Sequence, residues 1–121
     1  MLRFKGGIDR QLWNAGDGPE HVRQWIAMFN AISWHVAERA CVVTSWGRTD
    51  GTFHQNLLAV DFRRMSQANA ADPKPYTKEE CAAIEAAAVF QGLPLVVVGK
   101  GEKWEHWHCG PIHLKDPANI Q

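Results

Sequence analysis

The stretch His54-Gln-Asn-Leu-Leu-Ala-Val-Asp61 decides how the middle of this chain folds. Its first part favours a turn, because an Asn side chain readily hydrogen-bonds nearby backbone. Residues 57–62 are then apolar except for Asp61, which predicts a β-strand over this range. Side chains alternate between the two faces of a strand, so one set faces the core. The core-facing set is Leu58, Val60 and Phe62, and the opposite set is Leu57, Ala59 and Asp61.

Five further elements are predicted around this strand. Apolar residues recur with a helical period after Pro19, which suits a first helical position, and Thr77 and Glu80 form a capping box. The predicted elements are a helix over 19–39, strands over 41–45 and 57–62, a helix over 78–91, and strands over 95–98 and 104–109. Residues 47–51 and 65–76 are predicted loops.

This order of elements indicates one α+β domain over residues 1–121. We expect a small, mainly antiparallel sheet with helices packed on one side. The Gly-rich residues 1–17 are expected to form a loosely structured arm, and the polar residues 115–121 a frayed tail.

Composition narrows the possible partners. The 13 basic residues balance the 13 acidic ones, so the chain lacks the basic excess of a nucleic-acid-binding protein. It has no basic amphipathic tail, no long apolar run and no apolar signal region. We therefore expect that the protein is made in the cytoplasm and does not associate stably with a membrane. We expect a monomer. The widely spaced Cys41, Cys81 and Cys109 are expected to be buried thiols.

Histidines and carboxylates fall into two groups that suggest a metal site. His54 and Asp61 lie in the first group, and His108 ends the segment Glu105-His-Trp-His108. These three residues offer nitrogen and oxygen ligands, and a catalytic zinc takes three protein ligands and leaves a fourth position for water. The pattern therefore predicts a zinc hydrolase with His54, Asp61 and His108 as ligands.

Three more residues receive predicted roles in the reaction. Glu105 would be the general base, and His106 would donate a hydrogen bond to the oxyanion or serve as the base in its place. Arg48 would bind a substrate carbonyl or carboxylate. His106 and His108 share one face of a strand whereas Glu105 points to the other, so Glu105 reaches the metal only if alternation fails at the strand's start.

The six tryptophans are expected to lie mostly in the core. Three of them flank the motifs, and for these the sequence leaves two alternatives open, a place in the core or in the wall of a substrate cleft. They are Trp46, Trp104 and Trp107.

The chain resembles the zinc D-Ala-D-Ala carboxypeptidase family, which also contains L-alanyl-D-glutamate peptidases that serve as phage endolysins. The family pattern is Ser-x-His-x-x-Gly-x-Ala-x-Asp, followed later by Glu or Asp three residues before a His. Here Thr52-Phe-His54-Gln-Asn-Leu57-Leu-Ala59-Val-Asp61 keeps His, Ala and Asp, with Thr for Ser and Leu57 for Gly. Glu105-His-Trp-His108 matches the second part. The similarity covers roughly residues 20–113.

The resemblance implies a hedgehog-type zinc-peptidase fold and zinc (Zn2+) held by His54, Asp61 and His108. It implies hydrolysis of D-amino-acid-containing stem peptides of peptidoglycan, by an endolysin that reaches the cell wall through a holin. Two alternatives stay open: a cytoplasmic D-Ala-D-Ala dipeptidase or carboxypeptidase, and a non-catalytic binding domain stabilised by zinc.

Overall fold

The chain forms an α+β domain in the computed structural model, which describes residues 2–47, 57–65 and 75–111. Within these residues there are three helices and five strands. In chain order they are β1 (Arg3–Phe4), α1 (Gly7–Asn14), α2 (Glu20–Ala37), β2 (Val42–Ser45), β3 (Val60–Arg63), α3 (Lys78–Phe90), β4 (Leu95–Val98) and β5 (His106–Cys109). None of the helices in these residues is both long and apolar enough to cross a membrane.

The five strands form one sheet in the order β1-β2-β3-β5-β4. The β1–β2 pair is parallel, and the β2–β3, β3–β5 and β4–β5 pairs are antiparallel. This confirms the mainly antiparallel sheet predicted from the sequence. Strands β3 and β5 are neighbours in the interior of the sheet, so both motifs that carry the candidate site lie side by side.

One face of the sheet packs against α2 and α3. Phe29 of α2 stacks on Phe62 of β3 with ring centroids 4.1 Å apart, and it meets Trp107 of β5 edge-on at 5.2 Å. Ile84 of α3 is fully buried in the same core cluster. The prediction that helices cover one side of the sheet is therefore confirmed for α2 and α3.

Local sequence signals placed most element boundaries correctly. The Thr77 hydroxyl accepts a hydrogen bond from the Glu80 N–H, and the Glu80 carboxylate accepts one from the Thr77 N–H, so the predicted capping box starts α3. Strand β3 begins at Val60 rather than at residue 57, because Leu57 has a left-handed φ of 60° that strand geometry does not allow.

The prediction of a loosely structured arm over residues 1–17 is wrong. Arg3 and Phe4 pair with β2, and α1 follows directly. The Asp9 carboxylate of α1 accepts hydrogen bonds from the N–H groups of Trp46, at 3.2 Å, and Gly47, at 2.9 Å. These contacts order the segment, and none of them is local in sequence. The predicted tail over 115–121 lies outside the described residues.

Candidate metal centre

The register of β3 and β5 places the second and third predicted ligands next to each other. Asp61 lies directly opposite His108, and Arg63 lies opposite His106. Directly opposite residues in an antiparallel pair share a face, and that face alternates along each strand. Since Phe62 and Trp107 face the helices, these four side chains project from the opposite side of the sheet.

Asp61 contacts both histidines of β5. Its Oδ1 atom lies 2.9 Å from Nδ1 of His108, and its Oδ2 atom lies 3.4 Å from Nε2 of His106. Asp61 and His108 are buried, whereas about a fifth of the His106 side chain is exposed (21%). The cluster is therefore desolvated at the Asp61–His108 pair and open to solvent at His106.

The hydrogen bonds of His108 suit a metal ligand. Its Nε2 atom lies 2.7 Å from the carbonyl oxygen of Pro111, so both ring nitrogens face oxygen atoms that can only accept. A neutral imidazole carries one N–H. If Nε2 donates it to Pro111, the Nδ1 lone pair and the Asp61 carboxylate are left facing each other, an arrangement that a shared cation would stabilise. Metal-binding histidines commonly donate the other ring N–H to a carbonyl in this way.

The distance between the donor atoms also fits a shared zinc ion. Nitrogen and oxygen ligands lie about 2.0–2.2 Å from zinc, so two of them are at most about 4.4 Å apart. The 2.9 Å between Nδ1 of His108 and Oδ1 of Asp61 lies within this limit, and it would widen by about 0.5 Å to reach the spacing of tetrahedral ligands. The residues present thus fit two of the three ligands that the sequence predicts.

The third predicted ligand, His54, and the predicted substrate-binding Arg48 lie outside the described residues. Among residues 2–47, 57–65 and 75–111, no group of three or more His, Cys, Asp or Glu side chains is arranged to hold a metal ion. In particular, His106 does not complete such a group with Asp61 and His108.

Glu105 has other partners than the two histidines, which both contact Asp61. Its Oε2 atom is 2.9 Å from the guanidinium of Arg64, and its Oε1 atom accepts a hydrogen bond from the N–H of Gly101 at 3.0 Å. Arg64 in turn binds Glu85 of α3 at 2.7 Å, and its guanidinium lies over the Trp107 ring. The carboxylate is therefore joined to groups on the helix-covered side of the sheet.

Its surroundings keep the Glu105 carboxylate ionised. Burial alone would raise the pKa of Glu105, but hydrogen bonds from the Gly101 N–H, Arg64 and the Met65 N–H, together with the charge of Arg64, lower this pKa below its ordinary value.

His106 is the other residue with a predicted proton-transfer role, and it does lie at Asp61. Its Nδ1 atom is 2.9 Å from the carbonyl oxygen of Trp104, which can only accept, so Nδ1 carries a hydrogen. In the neutral ring Nε2 then presents a lone pair toward solvent and Asp61.

Two of the three tryptophans near the motifs lie in the core. Trp46 and Trp107 are fully buried, so the alternative that they wall a substrate cleft is wrong for both. Trp104 is half exposed (51%) and stays available as a wall. Alternation accounts for Trp107, which lies between two site-facing histidines and must point to the helices.

Sequence reasoning missed the Arg64–Glu85–Glu105 group. Arg64 immediately follows β3, and Glu105 immediately precedes β5, so the two extend the Arg63–His106 pairing by one step. The register of two strands forty residues apart was needed to find this pair. The predicted alternation did carry one correct signal, namely that Glu105 points away from His106 and His108.

Comparison of the chain with protein-family models, with curated proteins and with solved structures gave no match. The class of the protein therefore rests on the residues and the geometry described above.

Proposed function

We propose that the protein is a zinc-dependent peptidase of the D-Ala-D-Ala carboxypeptidase type. The observation that carries this proposal is the buried Asp61–His108 pair, whose donor atoms face each other 2.9 Å apart with the second His108 nitrogen on the Pro111 carbonyl. The sequence resemblance independently selects the same two residues as ligands. The proposal extends to the hedgehog-type fold, which agrees with the α+β class of the domain.

Asp61, His108 and His54 would hold the metal. Zinc, when bound, supplies a Lewis acid that makes water nucleophilic near neutral pH and polarises a carbonyl. The buried Asp61–His108 pair fixes the donor atoms before a substrate arrives. Because this pair is desolvated while the neighbouring His106 is partly exposed, a substrate approaches from the His106 side.

Proton transfer is proposed for either His106 or Glu105. His106 presents Nε2 beside Asp61 and is partly exposed, so it can accept a proton from water and deliver it to a leaving amine. Glu105 is ionised, but in this structure its oxygens are engaged by Arg64 and Gly101. For Glu105 to act as the base, its carboxylate must leave these contacts and reach the opposite face of the sheet, where Asp61 and His108 lie.

The proposed substrates are D-amino-acid-containing stem peptides of peptidoglycan, and an endolysin is the corresponding biological role. A zinc peptidase cuts amide bonds, so digestion of peptidoglycan should release amino groups without new reducing sugar ends. Mass spectrometry of the products would identify the bond. New reducing ends without new amino groups would contradict the peptidase class.

Metal content tests the site itself. The purified chain should contain about one zinc ion per molecule, which is the content of a mononuclear three-ligand site. His54→Ala, Asp61→Ala and His108→Ala should each lose zinc, while His21→Ala, which removes an exposed histidine of α2, should keep it. Full zinc content in all three ligand variants would overturn the proposed site.

A second candidate is a non-catalytic domain stabilised by zinc, and the binding of Glu105 by Arg64 favours it. Glu105→Gln and His106→Gln separate the two candidates. In a peptidase one of these substitutions should lower turnover by roughly 10²–10⁴-fold while zinc is retained, as expected for loss of a positioned acid–base group. In a binding domain the parent protein would hold zinc and fail to cleave peptidoglycan.

A further inference from the structure

The turn between β4 and β5 presents an exposed aromatic side chain next to the candidate metal centre. Trp104 is 51% exposed, and its ring centroid lies 6.5 Å from that of His106. The Trp104 carbonyl also accepts the hydrogen bond from His106 Nδ1. An aromatic surface that a ligand could contact therefore lies beside the cluster.

The ring is held in place rather than free to turn. Its six-membered part lies directly on Gly99, which has a φ of 68°, and a side chain at Gly99 would collide with it. One face of the indole is thereby packed against backbone, and the exposed surface is available for a ligand. A rigid aromatic surface binds a ligand at a low cost in conformational entropy.

The turn that carries Trp104 is itself braced. Glu102 N–H donates to the Gly99 carbonyl at 2.8 Å, and Glu105 N–H donates to the Glu102 carbonyl at 3.2 Å. The Glu105 carboxylate binds the Gly101 N–H and Arg64, which joins the turn to the end of β3.

A second exposed apolar side chain lies on the same side of the sheet. Val96 of β4 is directly opposite His108, so the two share a face, and Val96 is 37% exposed. Val96 thus lies next to His108 across the β4–β5 pair, and Trp104 lies next to His106. Among the exposed side chains of the turn are Lys100, Lys103 and Glu102, whereas the buried Glu105 is paired with Arg64.

We propose that Trp104 and Val96 form the binding subsite for the alkyl groups of the substrate, a short peptide that ends in small D-residues and a free carboxylate. The methyl and methylene groups of the peptide pack on the indole and on Val96, and Lys100 and Lys103 attract the carboxylate. This assignment rests on the proposed function, since it uses the Asp61–His108 centre as the reacting site. Trp104 is accordingly a specificity-determining residue.

The test uses the full-length zinc-loaded protein and synthetic diacetyl-L-Lys-D-Ala-D-Ala. Trp104→Ala should raise KM roughly tenfold, the effect of losing one well-packed aromatic contact, with kcat and zinc content close to the parent values. Trp104→Phe retains an aromatic ring, so its KM should rise less. Trp34→Ala removes a comparably exposed indole (46%) from α2 and should leave KM unchanged.

Binding is read separately from turnover through the indole N–H signals in NMR. The Trp104 signal, assigned by its disappearance in Trp104→Phe, should shift most when the peptide is added. An unchanged KM in Trp104→Ala with active enzyme would overturn the subsite and leave the proposed function standing. A shift of the Trp104 signal in a protein that never cleaves the peptide would support the subsite but overturn the proposed peptidase activity. A shift with N-acetylglucosamine oligomers but not with the peptide would overturn the subsite as a peptide site.

Discussion

Replacing Arg64 by Met should destabilise the protein mainly by leaving Glu105 without its cation. Arg64 is buried, and it lies between Glu85 at 2.7 Å and Glu105 at 2.9 Å. The Glu85 side chain is about one-third exposed (32%), so water can solvate it after the substitution, whereas the Glu105 side chain is 7% exposed. Met fills much of the volume of Arg, which separates the loss of charge from the loss of packing.

The size of the effect follows from this difference in burial. Removing one partner of a buried ion pair costs about 3–5 kcal/mol, and exposed pairs contribute about 0–1 kcal/mol. We expect Arg64→Met to lower the free energy of unfolding by about 3 kcal/mol, nearly all of it through Glu105. For a domain of this size that corresponds to a fall in Tm of roughly 10 °C. Urea unfolding of chelator-treated protein measures it without a contribution from zinc.

A double-mutant cycle tests whether the unpaired charge is the cause. Adding Glu105→Gln to Arg64→Met removes that charge, so the double variant should regain about 1–2 kcal/mol relative to Arg64→Met alone. Additive losses in the two single variants would refute the reasoning, because they would show that Arg64 and Glu105 do not stabilise each other.

The same reasoning gives a pH dependence with a definite sign. In the parent protein the pKa of Glu105 is lowered on folding, so its contribution to stability is complete above the unfolded pKa and is lost as the pH falls through the folded pKa. In Arg64→Met the hydrogen bond and the charge of Arg64 no longer lower the pKa of Glu105, so this pKa rises and acid pH relieves the buried charge. The stability gap between the two proteins should narrow from pH 7 to about pH 4.5, below which unpaired Glu is largely protonated. A constant gap would contradict the assigned cause.

Three further predictions concern the rest of the fold. Leu57→Ala should destabilise the protein about 1 kcal/mol more than Leu57→Gly does. Both variants lose the same side-chain contacts, but only Gly relieves the left-handed φ of 60°. Denaturant unfolding of both variants checks whether Ala is here the more destabilising residue, whereas Gly usually is. Asp9→Ala leaves the N–H groups of Trp46 and Gly47 without their carboxylate acceptor, so calorimetry should show a loss of about 2 kcal/mol in the free energy of unfolding. An unchanged Tm would show that these two hydrogen bonds do not stabilise the fold. Burial raises the pKa of Cys81 to about 11 and that of Cys109 to about 12, so neither thiol should react with a disulfide reagent at pH 8 until the protein is unfolded.

The parts of the fold that sequence could predict are those controlled by neighbours along the chain. The capping box of Thr77 and Glu80 is complete within four residues, and it starts α3 where predicted. Alternation in β3 correctly assigned Val60 and Phe62 to the core, because the two faces of a strand have unlike surroundings. The buried state of the three cysteines was predicted and is confirmed.

The parts that sequence could not predict depend on partners distant along the chain. Strand β1 has two residues, and only its parallel pairing with Val42 and Val43 makes it a strand. Likewise, nothing in the sequence near Arg64 indicates Glu85 and Glu105 as its partners. The Asp61–His108 contact was anticipated as a shared metal site, whereas its basis, a direct cross-strand pair, required the register of β3 and β5.

Glu105 and His108, three residues apart, lie on opposite faces of the sheet. An offset of three places two residues on opposite faces of a strand, and the turn before β5 does not reverse this, since the Glu105 carboxylate meets Arg64 near Trp107 while His108 meets Asp61. The Glu105 carboxylate also accepts a hydrogen bond from Gly101 and so stabilises the turn that carries Trp104 and leads into β5 at His106. Glu105→Gln can therefore lower activity in two ways, by removing a base or by loosening this turn. Loss of a base lowers kcat at constant KM. A loosened turn instead raises KM, as Trp104→Ala does. The changes in kcat and KM of Glu105→Gln therefore show which role Glu105 has.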